Sequence, residues 1–214
     1  MDDKISQAVI RRLPRYYRYL EELETTGTDK ISSSQMSKEM GLNASQIRRD
    51  LNCFGGFGQQ GYGYSVTKLK KEIAHILGLD KRYNVIIIGA GRIGQALLGY
   101  KNFREEGFDI VAVFDSSDYK IGAELEGVPI SDSRGLSKYL SENTVDVAII
   151  CTPKEVAQVT ADALVSYGIK AIWNFAPVDV AVRRGVAVEN VHLSDSLYVL
   201  SYKLEQGGNT DESI

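Results

Sequence analysis

Gly89-Ala90-Gly91-Arg92-Ile93-Gly94 carry three glycines in the spacing G-x-G-x-x-G, directly behind the apolar run Val85–Ile88 and ahead of a helical pattern. In that setting the first two glycines permit a tight turn and the close approach of a backbone to pyrophosphate, and the third lets helix pack on strand. The phosphates would meet backbone N–H groups at the helix start. Asp115 ends the next strand, 21 residues beyond Gly94. A carboxylate there suits the ribose hydroxyls of NAD and repels the additional phosphate of NADP, with Lys120 nearby acting in the opposite sense. Thr152 and Pro153 end a third strand, and Asn174, Phe175 and Ala176 end a fourth. All five fall at the carboxyl edge, where they would wall the nicotinamide and its ribose.

A second set of residues suits nucleic acid. Residues 43 to 71 hold Arg48, Arg49, Lys68, Lys70 and Lys71 against the single acid Asp50, and Arg11, Arg12, Arg15 and Arg18 cluster near the start. In a helix beginning after Asn43, residues Ile47, Leu51 and Phe54 share one face, while Ser45, Gln46, Arg48, Arg49 and Asn52 lie elsewhere around the cylinder. Arginine pairs bidentately with guanine, glutamine with adenine, and serine or asparagine with bases or backbone oxygens. The stretch GGFGQQGYGYS, residues 55 to 65, follows. Gln59-Gln60-Gly61 can turn a hairpin whose tip, Gly61-Tyr62-Gly63, fits a narrow minor groove, with Phe57 and Tyr64 anchoring its base.

These groups need elements to hold them. Ile5, Val9, Leu13, Tyr16, Leu20 and Leu23 predict a helix over residues 5 to 24, kinked or restarted at Pro14. Residues 32 to 40 read as a short helix closed by Gly41, and Asn43 with Gln46 as the capping box of the next, so two short helices meet at a tight turn. That is a helix-turn-helix. Val66, Leu69, Ile73, Ile76 and Leu77 mark a further helix ending at Gly78. Strands at 85–88, 110–115, 145–151, 171–175 and 186–191 alternate with helices at 92–100, 133–142 and 154–167, which predicts a doubly wound parallel sheet. The fold class is therefore α/β, a winged helix-turn-helix followed by a Rossmann-type sheet. The boundaries are 1–80 for the DNA-binding domain, 81–192 for the dinucleotide domain, 193–206 for a terminal helix and 207–214 for a disordered tail. Leu193, Leu197, Leu200 and Leu204 stripe that helix, and such a stripe calls for a partner, its own domain or a second subunit.

Composition limits the function. The 214 residues are 43% hydrophobic and 25% charged, with a formal net charge of −3. Residues 1 to 80 carry 12 cationic and 10 acidic side chains, and the remainder 13 and 18, so the positive charge is concentrated in the N-terminal part. No apolar run is long enough to span a membrane, and the charged N-terminus is no signal peptide, which implies a soluble, cytoplasmic protein. Cys53 and Cys151 with His75 and His192 fit no metal-ligand spacing, so no metal is expected and both thiols read as reduced. Catalytic groups are scarce. Tyr64 and Lys68 precede the nucleotide motif, neither histidine has an evident carboxylate relay, and about 100 residues after Asp115 leave no room for a substrate domain. The alternative, a small NAD-dependent oxidoreductase with an N-terminal dimerisation element, is the weaker reading.

With SQIRRDLNCFGGFGQQGYGY, GAGRIG, CTP and WNFAP in this order, the chain resembles the Rex family of redox-sensing transcriptional repressors over residues 4 to 205. The resemblance implies a homodimer that exchanges its last helices and represses genes of fermentation and anaerobic respiration. It would bind palindromic operator DNA when NAD+ is plentiful and leave when NADH binds. Ser45, Gln46, Arg48 and Arg49 match recognition-helix contacts, and Gly61, Tyr62 and Gly63 the wing tip. Arg18, Arg92 and Tyr100 match positions linked to the switch, where an aspartate of the exchanged region trades an arginine partner for a tyrosine hydroxyl. His192 stands where that aspartate is expected and Asp195 is the nearest acid, so the switch is expected to depend on pH.

Overall fold

Ser6 opens the first helix, its side-chain oxygen accepting from the Val9 N–H. In this computed structural model residues 5–55 and 63–207 are described, and the chain divides into one unit of Met1–Asp80 with Gln206–Ile214 and another of Lys81–Glu205. α1 (Gln7–Thr25) continues unbroken through Pro14, so the helix does not restart there. Val9, Leu13, Tyr16 and Leu20 are buried on both sides of Pro14, and that burial outweighs the one helical hydrogen bond a proline forfeits.

The strand β1 (Lys30–Ile31) leads to α2 (Ser33–Met40), which opens with a capping box of Ser32 and Gln35 and closes on Gly41 at φ 65°. The left-handed glycine reverses the chain, and α3 (Ala44–Asn52) follows. Asn43 caps α3 through the Ser45 N–H at 2.8 Å, but Gln46 closes no capping box, because its amide is drawn to Asp50 instead. β2 (Tyr64–Ser65) pairs antiparallel with β1, and α4 (Val66–Leu77) ends on Gly78. These two-residue strands show no periodicity, so the sequence does not announce them. Leu13, Tyr16, Leu20, Met36, Ile47, Leu51, Leu69 and Ile73 close the core of this unit. Lys70 of α4 reaches Glu24 at 2.8 Å and Glu21 at 3.2 Å on α1, so it adds little to a cationic face.

The second unit runs β3 (Tyr83–Ile88), α5 (Arg92–Leu98), α6 (Asn102–Glu105), β4 (Phe108–Asp115), β5 (Glu124–Leu125), β6 (Val128–Asp132), α7 (Leu136–Glu142), β7 (Val147–Ile150), α8 (Lys154–Ser166), β8 (Ala171–Asn174), β9 (Ala187–Asn190) and α9 (Asp195–Glu205). The sheet order is β5-β6-β4-β3-β7-β8-β9, parallel except for β5. Without β5 this is the 3-2-1-4-5-6 order of a Rossmann sheet. Ile86 and Ile88 pack on one face with α8, Val85 and Ile87 on the other, as the pleat requires of a strand buried on both sides. The β5–β6 hairpin, which the sequence pattern missed, turns on Glu126 and Gly127, both at positive φ. No helix connects β8 to β9. α9 buries none of its residues within the chain.

Leu20→Ala should lower stability by about 2–5 kcal/mol in urea unfolding followed by circular dichroism, because Leu20 is fully buried. Ile10→Ala, on the exposed side of the same helix, should change it by less than about 0.5 kcal/mol.

Candidate functional site

The chain order reverses around β3, whose neighbours are β4 and β7, so a crevice opens beyond its carboxyl end. A cavity of about 540 Å³ lies there, lined by Gly89, Gly91, Asp115, Lys120, Thr152 and Pro153 among others. Gly89 takes φ 104°, and a Cβ on it would lie 2.6 Å from the Cys151 carbonyl oxygen. A Cβ on Gly94 would collide with the Gly89 carbonyl oxygen, whereas one on Gly91 would meet nothing within 4 Å. Two glycines thus build the turn, and the third leaves a cradle open above it. Arg92 and Ile93 begin α5 and are exposed, while Ala90 is buried beneath the turn.

Asp115 ties this turn to the next strand. Its Oδ2 accepts from the Ala90 N–H at 2.8 Å and from Lys120 Nζ at 3.0 Å, and its Oδ1 from the Ser117 N–H at 2.8 Å. Burial alone would raise its pKa, but the bonds from Lys120, Ser117 and Ala90 hold the carboxyl below the usual carboxylate range. Lys120, weighed in the sequence only for its charge, is thereby a holder of Asp115. The Thr152 hydroxyl is buried without a hydrogen-bond partner at the cavity wall. A buried orphan hydroxyl next to an open glycine cradle and a fixed carboxylate suits a ligand bearing phosphate and ribose. Burial pushes the neighbouring Cys151 thiol up to about 12, so it stays protonated at neutral pH.

The end of β8 departs from expectation. Asn174, expected to face the ligand, is fully buried and spends its amide on the chain itself. Its Nδ2 donates to Val178 O at 2.7 Å and to Asn190 Oδ1 at 2.8 Å, and its Oδ1 accepts from the Ala176 N–H at 3.0 Å. Asparagine here organises the helix-free β8–β9 connection. Ala176 is buried with it. Phe175 packs edge-on against Trp173 at 4.6 Å, Trp173 against Phe103 at 5.8 Å, and Phe103 against Tyr100 at 4.8 Å. Four rings therefore connect the end of β8 to Tyr100, which is exposed.

In the first unit Ser45, Arg48 and Arg49 are exposed on α3, with Arg48 donating to Ser33 Oγ at 3.0 Å. Arg12, expected among the DNA contacts, is instead turned inward onto Asp50, with Nε at 2.6 Å and its terminal nitrogen at 2.8 Å. Arg15 likewise turns to the Met40 carbonyl at the end of α2, while Arg11 and Arg18 are exposed. Gly63 sits beside β1 rather than at a tip: φ is 73°, and a Cβ would lie 2.6 Å from Ile31 O. Gly61, Tyr62 and Phe57 lie outside the described residues.

Both histidines have the carboxylate partner that sequence spacing did not reveal. His75 Nδ1 lies 2.8 Å from Asp80, and His192 Nε2 lies 2.8 Å from Asp179. The Asp179 hydrogen bond, reinforced by the charges of Asp179 and Asp195, raises the His192 pKa above its ordinary value. Asp195 starts α9, its N–H donating to His192 O at 3.1 Å. Among the described residues no group of three or more His, Cys, Asp or Glu could hold a metal ion, and no helix is long and apolar enough to cross a membrane.

By fold and site the chain falls in the class of DNA-binding regulators that carry a dinucleotide-binding domain. Residues 4–52 match the family model described as putative DNA-binding protein N-terminus, and residues 80–178 the CoA binding domain model. The redox-sensing transcriptional repressor Rex of Thermoanaerobacter pseudethanolicus is 53% identical over 95% of this chain and 91% of its own length. That of Clostridium acetobutylicum is 52% identical over 96% and 97%. Among solved structures, the Rex-family repressor RSP in complex with NAD+ and operator DNA matches with a TM-score of 0.90 at 52% identity, covering 95% of this chain and 94% of that one. RSP with NADH matches with a TM-score of 0.89 at 48% identity, covering 97% of both. The chain belongs to the Rex family of redox-sensing transcriptional repressors. It is a regulator, and the oxidoreductase alternative falls with that assignment.

Gly91→Ala should leave the melting temperature unchanged yet weaken NADH binding at least tenfold in a fluorescence titration, because the added methyl fills the cradle and nothing else. Gly94→Ala should lower both. In NMR titration His192 should have its midpoint above the usual value of about 6.5, and Asp179→Asn should bring it back toward that value. A raised folded pKa means that the His192–Asp179 pair stabilises fully below the unfolded value and fades as pH climbs through the folded one.

Proposed function

We propose that this chain represses transcription by binding operator DNA and is released when NADH replaces NAD+ in the crevice at the end of β3. The observation that carries the reading is the pairing, in one chain, of an exposed Ser45–Arg49 helix face with the cradle formed by Gly89, Gly91, Asp115 and Thr152. Gly91 leaves room for pyrophosphate, Asp115 accepts hydrogen bonds from the ribose hydroxyls, and Thr152 supplies a hydroxyl that has no partner among the described residues. Ser45, Arg48 and Arg49 contact bases and phosphates, with Arg11 added to the phosphate contacts from α1.

The acting species is a homodimer in the cytoplasm. Leu193, Leu197, Tyr198, Leu200, Tyr202 and Leu204 are between 56% and 74% exposed around α9. Such a surface on one helix is covered by association, and exchange of α9 between two copies covers it in both. A two-fold dimer presents two α3 helices to a palindrome, with half-site spacing set by the dimer.

NADH and NAD+ differ at the nicotinamide, so the energy that separates the two states arises there. A 100-fold preference of one DNA-binding state for one form supplies about 2.7 kcal/mol. Phe175, with Leu193 of the partner subunit, closes on the reduced ring, while Ala176 is buried beneath it. The edge-to-face rings from Phe175 to Tyr100 give that closure a packed route to Tyr100, which with Arg92, His192 and Asp195 makes up the second unit's part of the switch.

In a gel-shift titration the operator complex should persist with saturating NAD+ and dissociate with NADH. Equal operator affinity with either nucleotide would refute the sensor.

A further inference from the structure

We propose that Asp50 is a positioning residue for sequence recognition, its buried carboxylate orienting the Gln46 amide for a base edge. The proposal rests on the reading of α3 as the recognition helix. Asp50 is the lone acid between Asn43 and Lys71, yet it is 1% exposed. Four donors converge on it. Arg12 grips both oxygens at 2.6 and 2.8 Å, the Tyr16 hydroxyl donates to Oδ2 at 2.7 Å, and Gln46 Nε2 donates to Oδ1 at 2.7 Å. Arg12 and Tyr16 belong to α1, so the carboxylate is clamped from a second helix.

That clamp decides which way the glutamine faces. A carboxylate only accepts, so the nitrogen of Gln46, not its oxygen, must turn toward Asp50. One N–H is used there, which leaves the second N–H and Oε1 as a donor–acceptor pair held in a single plane. That pair complements the N7 acceptor and N6 donor that adenine presents in the major groove. Without Asp50 the amide is free to rotate by half a turn and present the pair reversed. Arg49 donates to the same Oε1 at 3.2 Å, so the orientation passes to the next contact residue. Arg12 neutralises the charge of Asp50, which prevents it from repelling the phosphates that the helix approaches. Prior ordering of Gln46 also reduces the entropy lost on binding.

The test uses the full chain with NAD+ and a duplex that the wild type selects from a random-sequence pool, each base pair of one half-site then being substituted in turn. Asp50→Asn tests the anchor, and the double variant Arg12→Met/Asp50→Leu removes it while leaving no buried ion unpaired, so that folding is preserved. Both should lose about tenfold in discrimination at one base pair, the pair at which Gln46→Ala also loses it, with unchanged affinity for random-sequence duplex. Adding Gln46→Ala to either should cost no further discrimination. Retained discrimination in the double variant, with loss in Gln46→Ala alone, would overturn the positioning role. Retained discrimination in Gln46→Ala would overturn the base-reading role and the proposal with it. A uniform loss on every sequence would show that Asp50 only holds the fold.

Discussion

The burial of β3 on both faces is the constraint that organises the second unit. Ile86 and Ile88 pack toward α8, Val85 and Ile87 toward the opposite layer, so the strand can sit only at the centre of the sheet. With β4 on one side and β7 on the other, chain direction reverses around it, and the crevice follows at its carboxyl end. The glycine turn then has little freedom. Gly94 lies so close to the Gly89 carbonyl that no side chain fits between them, and Asp115 reaches across from β4 to hold the Ala90 N–H. Sheet topology, turn and carboxylate are one connected arrangement.

The first unit solves a different problem, holding the short helices α2, α3 and α4 against the longer α1. Its apolar core closes around Tyr16 and Ile47, and among its described residues the one fully buried charge is Asp50. Burial alone would raise the pKa of that carboxyl, yet the hydrogen bonds from Arg12, Tyr16 and Gln46 lower it, and burial raises the Tyr16 phenol well above its usual range. A buried ion with every lone pair engaged specifies geometry more than it adds stability. The geometry specified here is that of α1 against α3, and it reaches the side chains on the outer face of α3 through Gln46.

Much of this was legible in the residues. Continuous apolar runs marked the strands and the period of three to four marked the helices, and G-x-G-x-x-G after a buried strand marked the crevice. Gly41 and Asn43 marked the tight turn between α2 and α3, and both cap as their chemistry predicts. What failed was partner assignment. Arg12 read as an outward polar group because nothing in the local pattern says that Asp50, 38 residues away, is its partner. Asn174 read as a ligand wall because its place at a strand end suits one, whereas its three bonds go to residues 176, 178 and 190.

The sequence by itself determined the periodicities, caps and glycine positions, since these follow from steric and hydrogen-bonding rules acting over a few residues. Tertiary structure alone decided which charges meet. Arg12 is bound to Asp50, Lys70 to Glu21 and Glu24, Lys120 to Asp115, and His192 to Asp179. Except for Lys120, these pairs join residues well separated along the chain. Their choice depends on how folding brings low-dielectric surroundings and particular side chains together, and local spacing carries no record of that.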